Sequence, residues 1–248
     1  MVLKICNEPY SEVSEFNIHF EKYGFPLSDF QKYAIQGIIE KNHVLVTAHT
    51  GSGKTLPAEF AIEHLVEQGK KVVYTSPIKA LSNQKFAEFT RKYPHISFGL
   101  LTGDIKTNPE ADVLIMTTEI LMNYLFIQTT SDKENKDDTQ LHFQIDLETE
   151  LGAVIFDEVH YINDHDRGQT WEKTILKLPP HVQMVMLSAT IDKPERFAHW
   201  IMQKNEEKDV YLASTNKRVV PLTHYGFWTY NDGDIKSLTD KALIKDIR

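Results

Sequence analysis

The stretch Ala48-His49-Thr50-Gly51-Ser52-Gly53-Lys54-Thr55 carries the parts of a phosphate-binding loop. Glycines at 51 and 53 let the backbone curl so that its N–H groups converge on phosphate oxygens, and a helix that starts there points its N-terminus at the same anion. Lys54 supplies a cation for the β- and γ-phosphates, and the Thr55 hydroxyl is a ligand for Mg²⁺. Thr50, Gly51, Ser52 and Gly53 complete the expected phosphate contacts. Ala48 stands where the consensus has its first glycine, and Pro57 falls in the first helical turn, where a missing N–H is tolerated. A second stretch, Asp157-Glu158-Val159-His160, ends the apolar run Leu151-Gly152-Ala153-Val154-Ile155-Phe156. Adjacent carboxylates at a strand end are costly unless a cation or a water uses them. Asp157 is the expected second Mg²⁺ ligand, and Glu158 the group that orients or deprotonates an attacking water. His160 could sense the state of the phosphates; as a lone histidine it reads equally well as a structural residue. Each stretch alone has a plain alternative, a chance Gly-Ser-Gly-Lys turn or an acidic surface turn. Together, in the order strand, loop, helix, strand, carboxylates, they point to binding of ATP with Mg²⁺.

Such groups must be held by a sheet. Strands are expected at Val44–Ala48, Lys71–Ser76, Phe98–Thr102, Val113–Thr117, Ala153–Asp157 and Met184–Ala189. Helical patterns lie between them at Ser28–Lys41, Gly53–Gln68, Leu81–Lys92, Glu119–Gln128, Trp171–Leu178 and Pro194–Gln203. Nearly continuous apolar strands imply burial on both sheet faces, and the alternation implies a parallel, doubly wound α/β sheet. Ligands of such sheets sit at the carboxyl ends of the strands, where both stretches fall. Gln128–Gln140 is polar throughout and reads as a surface insertion. The tail from Leu222 to Arg248 carries Tyr225, Phe227, Trp228 and Tyr230, as an edge strand or docking segment would. Its last residues begin a helical pattern and stop, as at the boundary of something longer.

Composition sets limits. The 248 residues, 41% of them hydrophobic, suffice for one large domain or two small ones. The net charge of −8 leaves no global attraction to nucleic acid, so any such binding needs a local surface. The single cysteine, Cys6, excludes an internal disulfide and fits a reducing compartment. No apolar run approaches bilayer length and the N-terminus lacks a secretory signal pattern, so cytosol or nucleoplasm and no membrane are expected.

Several strings together resemble the first RecA-like domain of superfamily-two DExH-box helicases, and among them the superkiller-type RNA helicases that feed RNA to the exosome. They are Phe25-Pro-Leu-Ser-Asp-Phe-Gln31, Ala48–Thr55, Thr75-Ser-Pro-Ile-Lys-Ala-Leu-Ser-Asn-Gln-Lys85, Leu101-Thr-Gly-Asp104, Thr117-Thr-Glu-Ile-Leu121, Val154–Asp164 and Ser188-Ala-Thr190. Arg167-Gly168, Trp171-Glu172 and Arg218-Val-Val-Pro-Leu222 extend the likeness, which covers Phe25 to Tyr225. The resemblance implies a RecA-like domain over 25–221 with the insertion at 128–140, an N-terminal extension over 1–24, and a segment over 222–248 leading toward a second RecA-like domain. It implies that Phe25 stacks on adenine and Gln31 bonds its edge, although Ser28-x-x-Gln31 also fits a helix capping box. Ser188 and Thr190 would couple the phosphate site to nucleic acid.

Pro77, Lys79, Ala80, Gly103, Asp104, Thr117, Thr118 and Glu119 follow strands or open helices. Helix N-termini and small loop residues suit backbone contacts to phosphates, which read shape and not sequence. On their own, Lys79 is a solvated charge and Thr118 an N-cap. With the resemblance they form a track for single-stranded nucleic acid, RNA favoured over DNA. After Ser188-Ala-Thr190 too few residues remain for a second RecA-like domain, and no Gln-x-x-Gly-Arg-x-Gly-Arg string follows. This polypeptide is therefore expected to bind ATP–Mg²⁺ and hydrolyse it poorly, the arginine finger coming from another domain. Two alternatives stay open: a DNA helicase or translocase domain, and a one-domain nucleotide-binding interaction module without motor function.

Overall fold

The computed structural model describes residues 2–129, 145–189, 191–204, 207–217, 221 and 223. Thr190, most of the polar insertion, and the tail apart from Pro221 and Thr223 lie outside the described residues. One compact unit spans Met1–Lys217. Its elements run β1 (Leu3–Cys6), α1 (Asn17–Phe20), α2 (Asp29–Ile39), β2 (His43–Ala48), α3 (Leu56–Glu67), β3 (Lys71–Ser76), α4 (Lys79–Lys92) and β4 (Phe98–Leu101). There follow β5 (Lys106–Thr107), β6 (Val113–Thr117), α5 (Thr118–Thr129), β7 (Leu151–Phe156), a 3-10 turn (Val159–Asn163), α6 (Gly168–Lys177), β8 (Gln183–Ser188), α7 (Pro194–Lys204) and β9 (Val210–Thr215). The strands form one sheet in the order β1-β9-β2-β8-β7-β3-β6-β4-β5. Every pairing is parallel except β4 with the short edge strand β5.

The period of two along the strands divides the core between the faces. Val44, Val46, Val72, Tyr74, Ala153, Ile155, Val185 and Leu187 pack with Ile35, Ile38, Phe60, Ile62 and Phe89 of α2, α3 and α4. The intervening Leu45, Val73, Val154, Phe156, Met184 and Met186 pack with Leu121, Leu125, Trp171, Ile175, Ala198 and Ile201 of α5, α6 and α7. This two-sided burial is what the continuous apolar strands implied.

The structure departs from the expected boundaries where local geometry decides. α3 begins at Leu56 and not at Gly53, because Gly51 and Gly53 adopt φ of +83° and +82°, outside the helical region. α4 begins at Lys79, two residues earlier than the apolar pattern suggested, since the extended Ile78 precedes it directly. α6 starts at Gly168, ahead of Trp171, where the Asp164 carboxylate accepts from the Asp166 and Arg167 amides at 3.0 and 2.9 Å. Strands β1, β5 and β9 were not anticipated. β9 is apolar enough to be read as a strand; β1 and β5 are too short to show a period. Of the N-terminal residues, Leu3–Cys6 join the sheet beside β9, and Tyr10 and Phe20 sit in the core. No helix among the described residues is long and apolar enough to cross a membrane.

Candidate nucleotide site and nucleic-acid face

Register puts the chemistry on one sheet edge. Thr47 pairs with Ser188 and Phe156 with Met186, so β2, β8 and β7 end side by side. With strands about 4.8 Å apart, the loop after β2 and the carboxylates after β7 stand about 10 Å apart across the end of β8. Gly51 and Gly53 take the positive φ that the curl requires, and a Cβ on Gly53 would lie 2.7 Å from Gln31 Nε2. Ser52 Oγ donates to the His49 carbonyl at 2.6 Å, closing the loop on itself. Thr55 is the N-cap of α3, where it takes helical φ and ψ.

The loop and the carboxylates meet directly. Lys54 Nζ lies 3.2 Å from both Glu158 carboxylate oxygens, with side chains 10% and 27% exposed. A pair this sheltered is screened far less than a surface ion pair. Glu158 holds φ of +51° and ψ of +46°, a left-handed conformation uncommon outside glycine that Lys41, Asn108 and Lys193 share. Asp157 is buried, and its Oδ2 accepts from the Tyr74 hydroxyl at 2.6 Å. Burial raises the Asp157 carboxyl above its ordinary value, and the Tyr74 bond opposes that rise. The same burial and the nearby Asp157 charge push the Tyr74 phenol well up. His160 Nδ1 lies 3.3 Å from Glu158 Oε2 yet is aligned for no hydrogen bond. Ser188 Oγ, at the end of β8, is likewise buried without a partner.

At the start of α2, the Gln31 side chain is used at both ends. Its Oε1 accepts from the Ser28 amide at 2.9 Å, and its Nε2 donates to the Gly53 carbonyl at 3.0 Å. The capping bond and a link to the phosphate loop thus coexist in one residue. Phe25 is 55% exposed and lies tilted against Tyr23, with ring centroids 5.9 Å apart.

The second group of expected residues follows β3, β6 and β4 on the same edge, where Ser76 pairs with Thr117. Lys79 opens α4, and its ammonium meets Asp104 Oδ1 at 2.8 Å in an exposed pair. That bond draws the Asp104 carboxyl below its usual range. Gly103 sits beneath this pair; a Cβ there would be 3.3 Å from Lys79 Nζ. Pro77 is buried and Ala80 exposed. Thr117 ends β6 and α5 follows without a break, so Thr118 is helical, and its buried Oγ1 has no partner. The plain N-cap role for Thr118 therefore does not hold. Two residues gain importance that spacing alone did not reveal. Tyr74 looked like one more apolar strand position, and Arg167 stood only within a longer string. The Arg167 guanidinium donates to the Pro77 carbonyl and to the Glu119 carboxylate.

A sheet edge that carries a glycine loop with its lysine, a carboxylate pair with one member buried, and adjoining helix N-termini has relatives. The profile of the DEAD/DEAH box helicase family matches residues 28–197. The chain belongs to that family. The antiviral helicase SKI2 of Saccharomyces cerevisiae is 45% identical over 198 residues, 80% of this chain and 14% of that protein. The exosome RNA helicase MTR4 of Homo sapiens is 41% identical over 213 residues, 86% of this chain and 19% of that protein. The helicase Lhr of Mycobacterium smegmatis, in a structure bound to ssDNA and AMP-PNP, aligns with a TM-score of 0.56 at 29% identity. That alignment covers 82% of this chain and 28% of that one. The fold is the RecA-like sheet of these helicases. The chain spans only about a seventh to a fifth of the length of these curated DEAD/DEAH box relatives.

Proposed function

We propose that this chain is the first, ATP-binding motor domain of an ATP-dependent RNA helicase. The carrying observation is the Lys54–Glu158 pair beside buried Asp157, on the edge where α4 and α5 also begin. The amides of Thr50–Thr55 surround the phosphates, and Lys54 exchanges Glu158 for β- and γ-phosphate oxygens. Thr55 and Asp157 present the oxygen donors that a hard cation takes, and the buried carboxylate suits a divalent ion. Held by Thr55 and Asp157, a Mg²⁺ ion would supply charge neutralisation for the phosphates. Glu158, freed from Lys54, orients the attacking water and accepts its proton.

Phe25 stacks on adenine, and Gln31 keeps one amide hydrogen and lone-pair capacity for the base edge while tying that side to Gly53. His160, Ser188 and Thr190 relay the phosphate state; the first two have unspent buried polar atoms on that edge. Backbone at Pro77, Lys79, Ala80, Gly103, Asp104, Thr117, Thr118 and Glu119 tracks the phosphates of a single strand. A second RecA-like domain, in the same chain or in trans, completes the cleft. RNA is favoured over DNA because the curated relatives SKI2 and MTR4 include a named RNA helicase, while the ssDNA bound by Lhr supports a DNA reading. An intracellular location fits a chain whose single cysteine, Cys6, can form no internal disulfide.

The test is nucleotide binding and hydrolysis by this polypeptide, with single-stranded RNA or DNA added. Mg²⁺-dependent ATP binding, lost in Lys54→Ala, is expected. Turnover should stay near background, since an arginine finger is worth about 10³–10⁵ in rate. Glu158→Gln should bind nucleotide and abolish the residual turnover. Mg²⁺-independent binding, or retention in Lys54→Ala, refutes the nucleotide site. Tighter binding of DNA than RNA supports the DNA reading.

A further inference from the structure

The connection from β7 to α6 holds a cation that the phosphate-loop chemistry leaves unused. Arg167 is the N-cap residue of α6. Its Nη2 donates to the Pro77 carbonyl and to the Glu119 carboxylate, and its guanidinium lies 5.9 Å from the centroid of the Trp171 ring. Pro77 belongs to the turn between β3 and α4, and Glu119 to the first turn of α5. One side chain therefore joins the connection that carries the two carboxylates to both connections that open the nucleic-acid face.

The base of this strut is fixed. Arg167 N and Asp166 N donate to Asp164 Oδ1 at 2.9 and 3.0 Å, and Gly168 N donates to the Asp164 carbonyl at 2.9 Å. A Cβ on Gly168 would stand 2.2 Å from the Ile162 carbonyl oxygen, inside the 3-10 turn that starts directly after Glu158. The 3-10 turn Val159–Asn163 thus lies between the Asp157–Glu158 segment and the Arg167 base, packed against Gly168. The electrostatics point the same way. Glu119 places a carboxylate at a helix N-terminus otherwise suited to phosphate, and the Pro77 carbonyl adds a second negative pole. The planar guanidinium satisfies both at once, which a lysine ammonium does less well.

We infer that Arg167 is a positioning residue that couples the carboxylate segment to the phosphate track, by setting the spacing of the α4 and α5 N-termini and cancelling the Glu119 charge there. This rests on the nucleotide and nucleic-acid reading given above. A purely structural salt bridge is the competing account; it would lower stability and both ligand affinities together.

The test is amide hydrogen exchange on the 248-residue chain, with and without Mg²⁺ and AMP-PNP, in wild type, Arg167→Ala and Arg167→Lys, beside anisotropy with single-stranded RNA. In wild type the nucleotide should slow exchange at residues 78–80 and 117–120. Arg167→Ala should bind nucleotide within about twofold of wild type, lose that slowing, and bind RNA about tenfold more weakly. Arg167→Lys should recover RNA affinity more than it recovers the slowing, because it restores charge without the fork. The inference is overturned if Arg167→Ala keeps the protection, if its nucleotide affinity and thermal midpoint fall in parallel with RNA affinity, or if bound nucleotide leaves those amides unchanged in wild type. Should wild type bind no nucleotide, the functional reading fails and the coupling with it. Faster exchange of the same amides in free Arg167→Ala would still establish the strut. If Arg167→Ala does not fold, Glu119→Gln breaks the same pair from the other side and must reproduce the loss of slowing.

Discussion

Tyr74→Phe isolates one hydrogen bond beneath the site. Tyr74 is fully buried in β3, and its ring packs edge-on against Phe89 with centroids 5.4 Å apart. Phenylalanine keeps that packing and removes only the hydroxyl that donates to Asp157 Oδ2 at 2.6 Å. Burial raises the Asp157 carboxyl above 3.8, and among the opposing influences the Tyr74 bond is the largest. Its loss moves the carboxyl further up and makes the anion that a divalent cation needs harder to form. A hydrogen bond to a charged acceptor contributes about 1.5–3 kcal/mol, and 1.36 kcal/mol is about tenfold. Where pH lies below the raised value, Mg²⁺-dependent nucleotide affinity should therefore fall in the variant by up to about a hundredfold, and recover as pH rises above it.

Stability supplies a second readout with a definite sign. A carboxyl whose folded-state pKa lies above its unfolded value contributes stability that is complete below the unfolded value. That contribution is lost as pH rises through the folded value. Without Mg²⁺, raising the pH should thus lower the thermal midpoint of Tyr74→Phe more than that of wild type, and Mg²⁺ with nucleotide should reverse the deficit. The assay is a fluorescent-nucleotide titration at two pH values, with Mg²⁺ or EDTA, beside thermal melts. Equal affinities at both pH values refute the reasoning. So does a loss that persists unchanged in EDTA, which would mean that the hydroxyl shapes the pocket and does not tune the carboxylate.

Three further outcomes follow from single contacts. Phe25→Ala should weaken ATP binding about five- to a hundredfold, the range of a lost base–aromatic stack, and weaken other nucleoside triphosphates in parallel, because every base offers a ring face; a competition titration reads this. Asp104→Asn frees the Lys79 ammonium and removes a negative charge beside it, so RNA should bind more tightly, and the slope of log affinity on log salt should steepen by about 0.7. Gly168→Ala drives a methyl group against the Ile162 carbonyl oxygen, and should cost about 1–3 kcal/mol in a denaturant melt.

The parallel sheet was legible because β2, β3, β6, β7 and β8 are buried along almost their whole length, and only uninterrupted apolar strands satisfy that. The glycines at 51 and 53 were legible for a related reason: their φ values are ones that side chains resist. What local pattern could not show was pairing at a distance. Lys54 and Glu158 lie 104 positions apart and Tyr74 and Asp157 lie 83 apart, so nothing short of the strand order brings them together. Edge strand β1, with four residues and an alternation too short to register, pairs with β9 across the length of the unit. Lys79 was legible as a charge at a helix start, but its partner Asp104 is fixed by the turn after β4 and not by sequence proximity.

The strand order also accounts for how a chain of net charge −8 can present a surface to polyanions. In a parallel sheet with helical crossovers, every helix that follows a strand starts at the carboxyl edge and ends at the opposite one. Helix N-termini, each worth about half a positive charge, therefore gather where α3, α4 and α5 begin. The opposite edge collects carbonyl ends, and there the structure spends its lysines and an amide. Lys208 donates to the Lys41 carbonyl at 3.0 Å and Lys204 to the Leu178 carbonyl at 2.7 Å. Gln183 Nε2 reaches the Gly37, Ile38 and Asn42 carbonyls. Burial in that setting pulls the Lys204 ammonium down to about 8, a cost borne to satisfy a helix end and not to attract a ligand. Net charge is thus a poor guide to where this fold favours an anion. The polarity of the sheet favours the carboxyl edge, where Lys54 and Glu158, Lys79 and Asp104, and Arg167 and Glu119 stand in opposed pairs that an incoming phosphate must compete with.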